Sequence, residues 1–304
     1  MSYFKLTTLG CYAATPRTIS NPTAQLLDID GRYYLIDCGE GTQVQLRKLK
    51  FKINRISHVF ISHLHGDHVF GLIGLISTFS LLNRPDKLII FGPNGIKKLI
   101  QLQLELTNSY LNYELEIIEL SSKTSEIILD YNHVSVQTIP LKHRVYCNGY
   151  LFREKQKYKK LDITAIEKYG IERCYFYKIK MGENIRLDNG QVIENKSLTL
   201  DDAPLRSYAF CSDTMYHESV IDVIKNVDVL YHESTFLETE IALAKKTMHA
   251  TAKQAAQIAK LAGVKKLILG HYSTRYKTIE SFKNEAQTVF ENVQLADDGK
   301  SFDW

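Results

Sequence analysis

The residues with the clearest chemical capacity are Ser62-His63-Leu64-His65-Gly66-Asp67-His68, directly after the apolar run His58-Val59-Phe60-Ile61. Three imidazoles and a carboxylate in so short a stretch, at the end of a strand-like segment, are the makings of a metal loop. His63 and His65, two residues apart in an extended turn, can aim at one ion. Asp67 and His68 reach the other way, so one loop can begin two sites.

The loop alone lacks enough ligands, and the remaining candidates lie at other strand ends. A strand-like stretch over residues 134–140 delivers His143. A single histidine there is ordinarily just a polar loop residue, and it gains weight only because the loop at 63–68 is incomplete. Further on, a short strand at 208–211 precedes Asp213, and one at 266–269 precedes His271. The collected set is His63, His65, Asp67, His68, His143, Asp213 and His271. With neutral imidazoles and carboxylates but no thiolates, it suits zinc, with manganese or iron as alternatives.

Seven ligands serve two ions if a carboxylate bridges them, and Asp213 is the natural bridge. One ion would take His63, His65, His143 and Asp213, the other Asp67, His68, His271 and Asp213. Two ions roughly 3.5–4 Å apart can activate a water and neutralise charge on a phosphodiester. Asp37, at the end of another strand, reads either as a turn residue or as a carboxylate that orients a ligand histidine.

These positions need elements to hold them. A first strand over residues 4–9 is followed by a polar loop, then a hairpin (25–30 and 33–37) turning at Asp30-Gly31. In Asp37-Cys38-Gly39-Glu40-Gly41 the glycines permit a close backbone approach, and Thr42 is placed to cap a helix running to about residue 49. Residues 71–82 are apolar on nearly all sides and predict a helix buried beneath the site. A strand at 88–91, a helix from Pro93-Asn94-Gly95 to about residue 106 and strands at 114–120 and 126–129 follow. The second half adds a strand at 227–231, an alanine-rich helix that Thr251 or His249 begins, a helix at 279–290 and a strand at 293–296. Strands and helices alternate in both halves. The pattern suits two packed sheets with helices outside and a site where the strand-end loops meet.

The chain has 304 residues, 44% of them hydrophobic, and a formal net charge of +4. That length fits one large layered domain with an insertion as well as two domains. Cys11, Cys38, Cys147, Cys174 and Cys211 are odd in number and form no C-x-x-C pair, against both a disulfide framework and a thiolate zinc site. A cytoplasmic protein is expected, with no leader and no membrane: the longest uncharged apolar run, residues 69–82, is shorter than the roughly 18 residues a span requires.

The basic excess is localised. Between residues 150 and 196 there are 11 Lys and Arg against seven Asp and Glu, an excess equal to the net charge of the whole chain. Charge runs usually form solvated surface. Here tyrosine and phenylalanine interleave with Arg153, Lys155, Lys157, Lys159, Lys160, Lys178 and Lys180, which favours a clamp on a phosphate backbone.

His-Leu-His-Gly-Asp-His matches the H-x-H-x-D-H signature of the metallo-β-lactamase superfamily, and the chain resembles one family within it, ribonuclease Z (tRNase Z). The resemblance runs from about residue 4 to about residue 290. It rests on Asp37-Cys38-Gly39-Glu40-Gly41-Thr42-Gln43, the metal loop and the helix after it, Ser212-Asp213-Thr214, His232-Glu233-Ser234-Thr235, His249 with Thr251, and Gly270-His271-Tyr272-Ser273-Thr274-Arg275-Tyr276. It implies an α/β protein: a single domain, residues 1–304, with an αββα four-layer sandwich fold and an inserted protruding arm at 150–196 that acts as a tRNA-binding exosite. It implies two Zn2+ per subunit, with Mn2+ an alternative, on the seven ligands above.

By the same resemblance Asp67 is also a proton acceptor, and Glu233 acts with His249, which positions the scissile phosphate or protonates the leaving oxygen. The implied activity is endonucleolytic removal of the 3′ trailer from precursor tRNA after the discriminator nucleotide, leaving a 3′-hydroxyl, by a homodimer in which one subunit's arm presents RNA to the other's site. Two departures concern substrate grip. The family's P-x-K-x-R-N loop falls at Pro16-Arg17-Thr18-Ile19-Ser20-Asn21, with Thr18 and Ser20 in place of the basic residues. The arm has Gly170-Ile171-Glu172-Arg173-Cys174 where a glycine-proline tip is usual. Rival expectations are a hydrolase of small phosphodiesters or thioesters on the same fold, and a non-catalytic metal-stabilised RNA-binding module.

Overall fold

Near-continuous burial of the first strands marks a sheet covered on both faces. The computed structural model describes residues 3–304 apart from 16, 17, 19, 156, 157, 188 and 201–203, so Lys157, Pro16, Arg17 and Ile19 lie outside the described residues. Strand β1 (Phe4–Gly10) pairs antiparallel with β2 (Ala24–Ile29), and β2 with β3 (Arg32–Ile36). Asp30 and Gly31 turn this hairpin with φ of 51° and 80°, the positive pair that a tight two-residue turn demands. From β3 the sheet continues in parallel through β4 (Ile56–Phe60), β5 (Leu88–Pro93) and β6 (Leu115–Leu120).

The second sheet contains β7 (Ile127–Asp130), β8 (Val134–Pro140) and β9 (Asn148–Glu154). β10 (Ile185–Arg186) and β11 (Val192–Ile193) pair only with each other, as a two-stranded antiparallel sheet. The second sheet is completed by parallel strands β12 (Ser207–Cys211), β13 (Val229–Glu233), β14 (Lys266–Gly270) and β15 (Val293–Leu295). Strand β16 (Ser301–Asp303) returns to the first sheet beside β1. Each sheet has seven strands, in the orders β16-β1-β2-β3-β4-β5-β6 and β15-β14-β13-β12-β9-β8-β7.

Aromatic rings lock the two sheets face to face. Phe60 on β4 lies 5.2 Å from both Tyr150 and Phe152 on β9, and Tyr34 on β3 lies 5.9 Å from Phe152. All four are fully buried, each contributing on the order of 2–3 kcal/mol through area removed from water. Tyr150 also donates its hydroxyl to the Ile61 carbonyl (2.6 Å), fixing the end of β4 where the metal loop starts. His58 stacks with Tyr34, Phe60 and Phe91 and belongs to this core.

Helices cover the outside, with two corrections to the sequence reading. The helix at Leu72–Leu81 buries only Leu72, Leu75, Ile76 and Phe79, and Leu81 is 82% exposed, so it is one-sided despite its composition. Thr42 is the first residue of the helix Thr42–Lys48; Gly41 occupies the capping position at φ 82°, and the Thr42 hydroxyl turns back to the Gly39 carbonyl. Thr251 caps the helix Ala252–Leu261 in a reciprocal box with Gln254.

The chain divides into two compact units: residues 1–128, 136–152 and 206–304 form one, and 129–135 with 153–205 the other. Tyr150, Leu151 and Phe152, read from sequence as the start of the basic insertion, are buried sheet residues of the first unit. The second unit has its own small core of Ile166, Ile171, Ile179, Ile185, Ile193 and Leu198. Within it, the buried amide of Asn195 donates to the carbonyls of Ile179 (2.7 Å) and Glu183 (3.0 Å).

Candidate metal centre and its surroundings

Parallel pairing brings the site residues to one edge. Cys211 on β12 stands level with His232 on β13, and His232 with Leu269 on β14. Asp213, the Glu233–Thr235 segment and His271 therefore leave adjacent strands at the same carboxyl-terminal edge. In the first sheet Ile36 is level with Phe60, which sets Asp37 beside the start of the metal loop.

Asp37, Asp213 and His271 then take left-handed backbone conformations, with φ of 57°, 52° and 60°. For non-glycine residues this is uncommon and concentrates at functional sites. The turn breaks the strand's alternation: Asp213 and His271 turn into the cleft, while Asp37 reaches the back of His68. Gly39 has a related steric role: a Cβ there would collide with the Asp67 carbonyl oxygen, so only glycine lets the Asp37–Gly41 segment pass so close behind the metal loop.

The seven candidate ligands form two groups, one of His63, His65, His143 and Asp213, the other of Asp67, His68 and His271, with the ligand atoms of each group within 4.8 Å of one another. Asp213 faces both. Its Oδ2 lies 3.6 Å from His63 Nε2 and 3.9 Å from His143 Nε2, while its Oδ1 lies 3.2 Å from His68 Nε2 and 3.1 Å from His271 Nε2. Asp67 Oδ2 stands 3.5 Å from His68 Nε2 and 3.7 Å from His271 Nε2. His65 enters through Nδ1, 2.9 Å from His63 Nε2 and 3.3 Å from His143 Nε2.

Hydrogen bonds behind the cleft set the tautomers. His143 donates Nδ1–H to the Met248 carbonyl (3.1 Å), leaving the Nε2 lone pair for the cleft. The Asp37 carboxylate, which accepts from the Ser62 N–H (2.7 Å) and hydroxyl (2.8 Å), takes Nδ1–H of His68 at 2.7 Å. The Thr235 hydroxyl donates to Glu233 (2.6 Å) and so must accept from His271 Nδ1 at 2.9 Å. His68 Nε2 and His271 Nε2 are left buried with no hydrogen-bond partner. Such orphaned, convergent nitrogens beside two carboxylates fit a divalent cation.

The electrostatics agree. Burial favours neutral rings and holds His63 well below the usual histidine range, as a ligand requires. Burial acts on His68 too, but Asp213, Asp37 and Asp67 overcome it and hold that ring well above the ordinary value. Asp213 is buried, yet the cluster of His271, His68 and His63 keeps it well below the usual carboxylate range. Positive charge is thus favoured beside His68, where the three carboxylates converge, and disfavoured on His63, His65 and His143.

Glu233 and His249 meet beside this centre. The buried Glu233 accepts from the Thr214 N–H (2.8 Å), the Thr235 N–H (3.1 Å), the Thr235 hydroxyl and His249 Nδ1 (2.7 Å). Burial would deprotonate His249, but Glu233 outweighs it and raises its pKa to about 9. His249 is thus a cationic ring at neutral pH, stacked 5.4 Å from His271.

Three supporting groups escaped sequence reasoning: the Thr235 hydroxyl, the Met248 carbonyl and the Ala14 N–H, which donates to Asp67 Oδ2 at 2.9 Å. Thr235 was visible beside Glu233, but two of the three are backbone groups, which no residue type announces.

The basic residues belong to the second unit. Lys160, Lys178 and Lys180 are exposed; Arg153 and Lys159 are half-buried; Lys155 is paired with Asp130 at 2.7 Å. Tyr175 and Phe176 pack against the small core, so only part of the aromatic interleaving faces solvent: Tyr158 and Tyr177 are exposed, with rings 6.0 Å apart.

Two facing mixed sheets flanked by helices, with a histidine- and aspartate-lined cleft at their strand-end edge, are the metallo-β-lactamase fold, and they define the class as its divalent-metal hydrolases. A family model described as "Anti-Pycsar protein Apyc1" matches residues 4–295. "Ribonuclease Z" of Parabacteroides distasonis is 43% identical, covering 98% of both chains, and that of Cytophaga hutchinsonii is 45% identical over 98% of this chain and 96% of the other. Human tRNase Z, short form, superposes with a TM-score of 0.71 at 28% identity, covering 98% of both chains. The chain belongs to the ribonuclease Z family. No helix among the described residues is long and apolar enough to cross a membrane.

Proposed function

We propose that the protein is a divalent-metal-dependent endoribonuclease that removes the 3′ trailer of precursor tRNA after the discriminator nucleotide and leaves a 3′-hydroxyl on the tRNA. The observation carrying this reading is the pair of ligand groups sharing Asp213, in a chain aligned end to end with ribonuclease Z relatives. His63, His65, His143 and Asp213 would hold one ion; Asp67, His68, His271 and Asp213 the other. Two Zn2+ per subunit suit these donors, with Mn2+ an alternative. Bound there, divalent ions supply Lewis acidity that lowers the pKa of water and offsets phosphodiester charge.

The chain's own groups do the rest. Asp67 accepts a proton as the nucleophile forms. Glu233 keeps Nδ1 of His249 occupied and the ring charged, so Nε2–H is presented to the scissile phosphate or the leaving oxygen. The second unit, with exposed Lys160, Lys178, Lys180, Tyr158 and Tyr177, grips the RNA by shape and backbone charge, in a cytoplasmic homodimer where one subunit's arm serves the partner's cleft.

The test is incubation with end-labelled precursor tRNA, with and without chelator, and mapping of the cut. A chelator-sensitive cut after the discriminator is expected. A wild-type, metal-replete protein that hydrolyses a small chromogenic phosphodiester but makes no such cut would overturn the proposal in favour of a small-substrate hydrolase.

A further inference from the structure

His217 lies on the segment that leaves the cleft after Asp213 and is 7% exposed, yet the chemistry described above makes no use of it. Burial, reinforced by Lys142 and His232, pushes its pKa down to about 4, so the ring is neutral at neutral pH. A neutral imidazole has one donor and one acceptor nitrogen, and both are taken. Nε2 is bonded to the Thr214 hydroxyl (3.1 Å) and Nδ1 to the Ser219 hydroxyl (2.8 Å). With both nitrogens engaged by hydroxyls, the ring is neither a metal ligand nor a proton carrier. Its use lies in what it holds.

Thr214 is a junction of the site. It is 1% exposed and follows Asp213, whose left-handed φ of 52° is a conformation that persists only where the surroundings over-determine it. The Thr214 N–H donates to Glu233 Oε1 (2.8 Å), the carboxylate that also takes His249. Its Oγ1 accepts from the backbone N–H of Lys142 (3.1 Å), and the Met215 N–H donates to the Lys142 carbonyl (2.9 Å). The turn at Asp213 is thereby zipped to the residue that precedes His143. Its Oγ1 is the atom on which the Lys142 N–H and the His217 ring both close.

We propose that His217 is a positioning residue of the metal centre: by holding the Thr214 hydroxyl it keeps the Asp213 turn in register with the loop that carries His143, and so sets the geometry of the group formed by His63, His65, His143 and Asp213. The inference rests on the divalent-metal reading of that group. The other group is supported from different directions, by Asp37 behind His68, Thr235 behind His271 and the Ala14 N–H on Asp67. Loss of His217 is therefore felt unequally by the two groups.

The experiment titrates metal-free protein with Zn2+ against a competing chelator, and the binding step that His143→Ala abolishes identifies the group in question. His217→Phe keeps a buried ring and removes both hydrogen bonds; affinity at that step should fall about tenfold, and at the other step by about twofold at most. His217→Gln sets an amide nitrogen near the place of Nε2 and should recover most of the loss. With Thr214→Val the hydroxyl is gone, and adding His217→Phe should weaken binding no further. A ring that merely fills space gives the reverse order, with Phe tolerated and Gln not.

If His217→Phe leaves the step unchanged, if both steps weaken alike, if Gln is no better than Phe, or if the Thr214→Val and His217→Phe effects multiply, the inference is refuted while the metal reading stands. If wild type shows no step that His143→Ala abolishes, the metal reading falls first and the inference with it.

Discussion

The metal cleft and the second unit are built in opposite ways. In the cleft His63, His68, His143 and His271 are held from behind, by Ser62, Asp37, the Met248 carbonyl and Thr235 respectively, and those partners are themselves hydrogen-bonded or part of the main chain. In the second unit, Lys160, Lys178 and Lys180 are exposed on a small core of six residues. Chemistry at a phosphorus atom needs groups placed in advance, because misplacement by an ångström costs orders of magnitude. Holding a polyanion needs charge that is still free to pair, because each released counterion contributes similarly wherever the contact falls. Order is concentrated in one region and available charge in the other.

The comparison can be broken most severely at Asp213. Asp213→Ala removes the carboxylate that faces both ligand groups, and turnover of precursor tRNA should fall about ten-thousand-fold together with the bound-metal content read by elemental analysis. Retained metal and turnover would mean that the two groups do not share it. Next is His249→Ala, with an expected loss of about a hundred- to a thousand-fold in kcat.

The pH dependence of the wild type sharpens this second prediction. The folded-state pKa of His249 is raised to about 9, so the charged ring persists through neutral pH. The stabilisation from the Glu233 pair is fully present below the unfolded value near 6.5, and both it and activity that needs the charged ring are lost as pH rises through about 9. A kcat profile whose basic limb does not move in His249→Ala would separate the ring from catalysis.

Thr235→Val tests whether support from behind matters as much as the ligands. It deletes the hydroxyl between Glu233 and His271 while keeping side-chain shape, and metal affinity should fall about 10- to 100-fold. The smallest effect belongs to the second unit. Lys178→Ala with Lys180→Ala should raise KM for precursor tRNA several-fold and lower the slope of log KM against log salt by about two, with kcat little altered. A loss of kcat instead would show that these lysines do more than hold RNA.

Much of the site was legible because metal ligands must be of few types and because parallel strands end together; His63, His65, Asp67, His68, His143, Asp213 and His271 all followed from residue type and position. The Asp37 reading as a carboxylate behind a histidine was one of two open choices, and only its 2.7 Å contact with His68 decides it. Backbone contributions were illegible: the left-handed turns at Asp37, Asp213 and His271 require no glycine here, so no residue marks them. Strand β9 was hidden because Asn148–Glu154 runs without a break into basic sequence, and its buried Tyr-Leu-Phe was read as part of the arm. Strand β13 continues through His232 and Glu233, because that histidine is buried with its Nδ1 bonded to the Glu233 carbonyl. The helix Leu72–Leu81 misled in the other direction, since composition registers apolarity but not which face has a neighbour.

The pairing of β16 with β1 carries a consequence for how the molecule is made. Lys5 lies opposite Asp303 and Leu6 opposite Phe302, so both sheets' intervening strands are synthesised between the two halves of one ladder. On the way to β16 the chain passes Asp298, whose carboxylate accepts from the backbone and side-chain nitrogens of Asn21, at the end of the loop from which Ala14 reaches Asp67. A nascent chain can therefore form the central parallel strands while Asn21 still waits for the Asp298 carboxylate, which follows it by 277 residues.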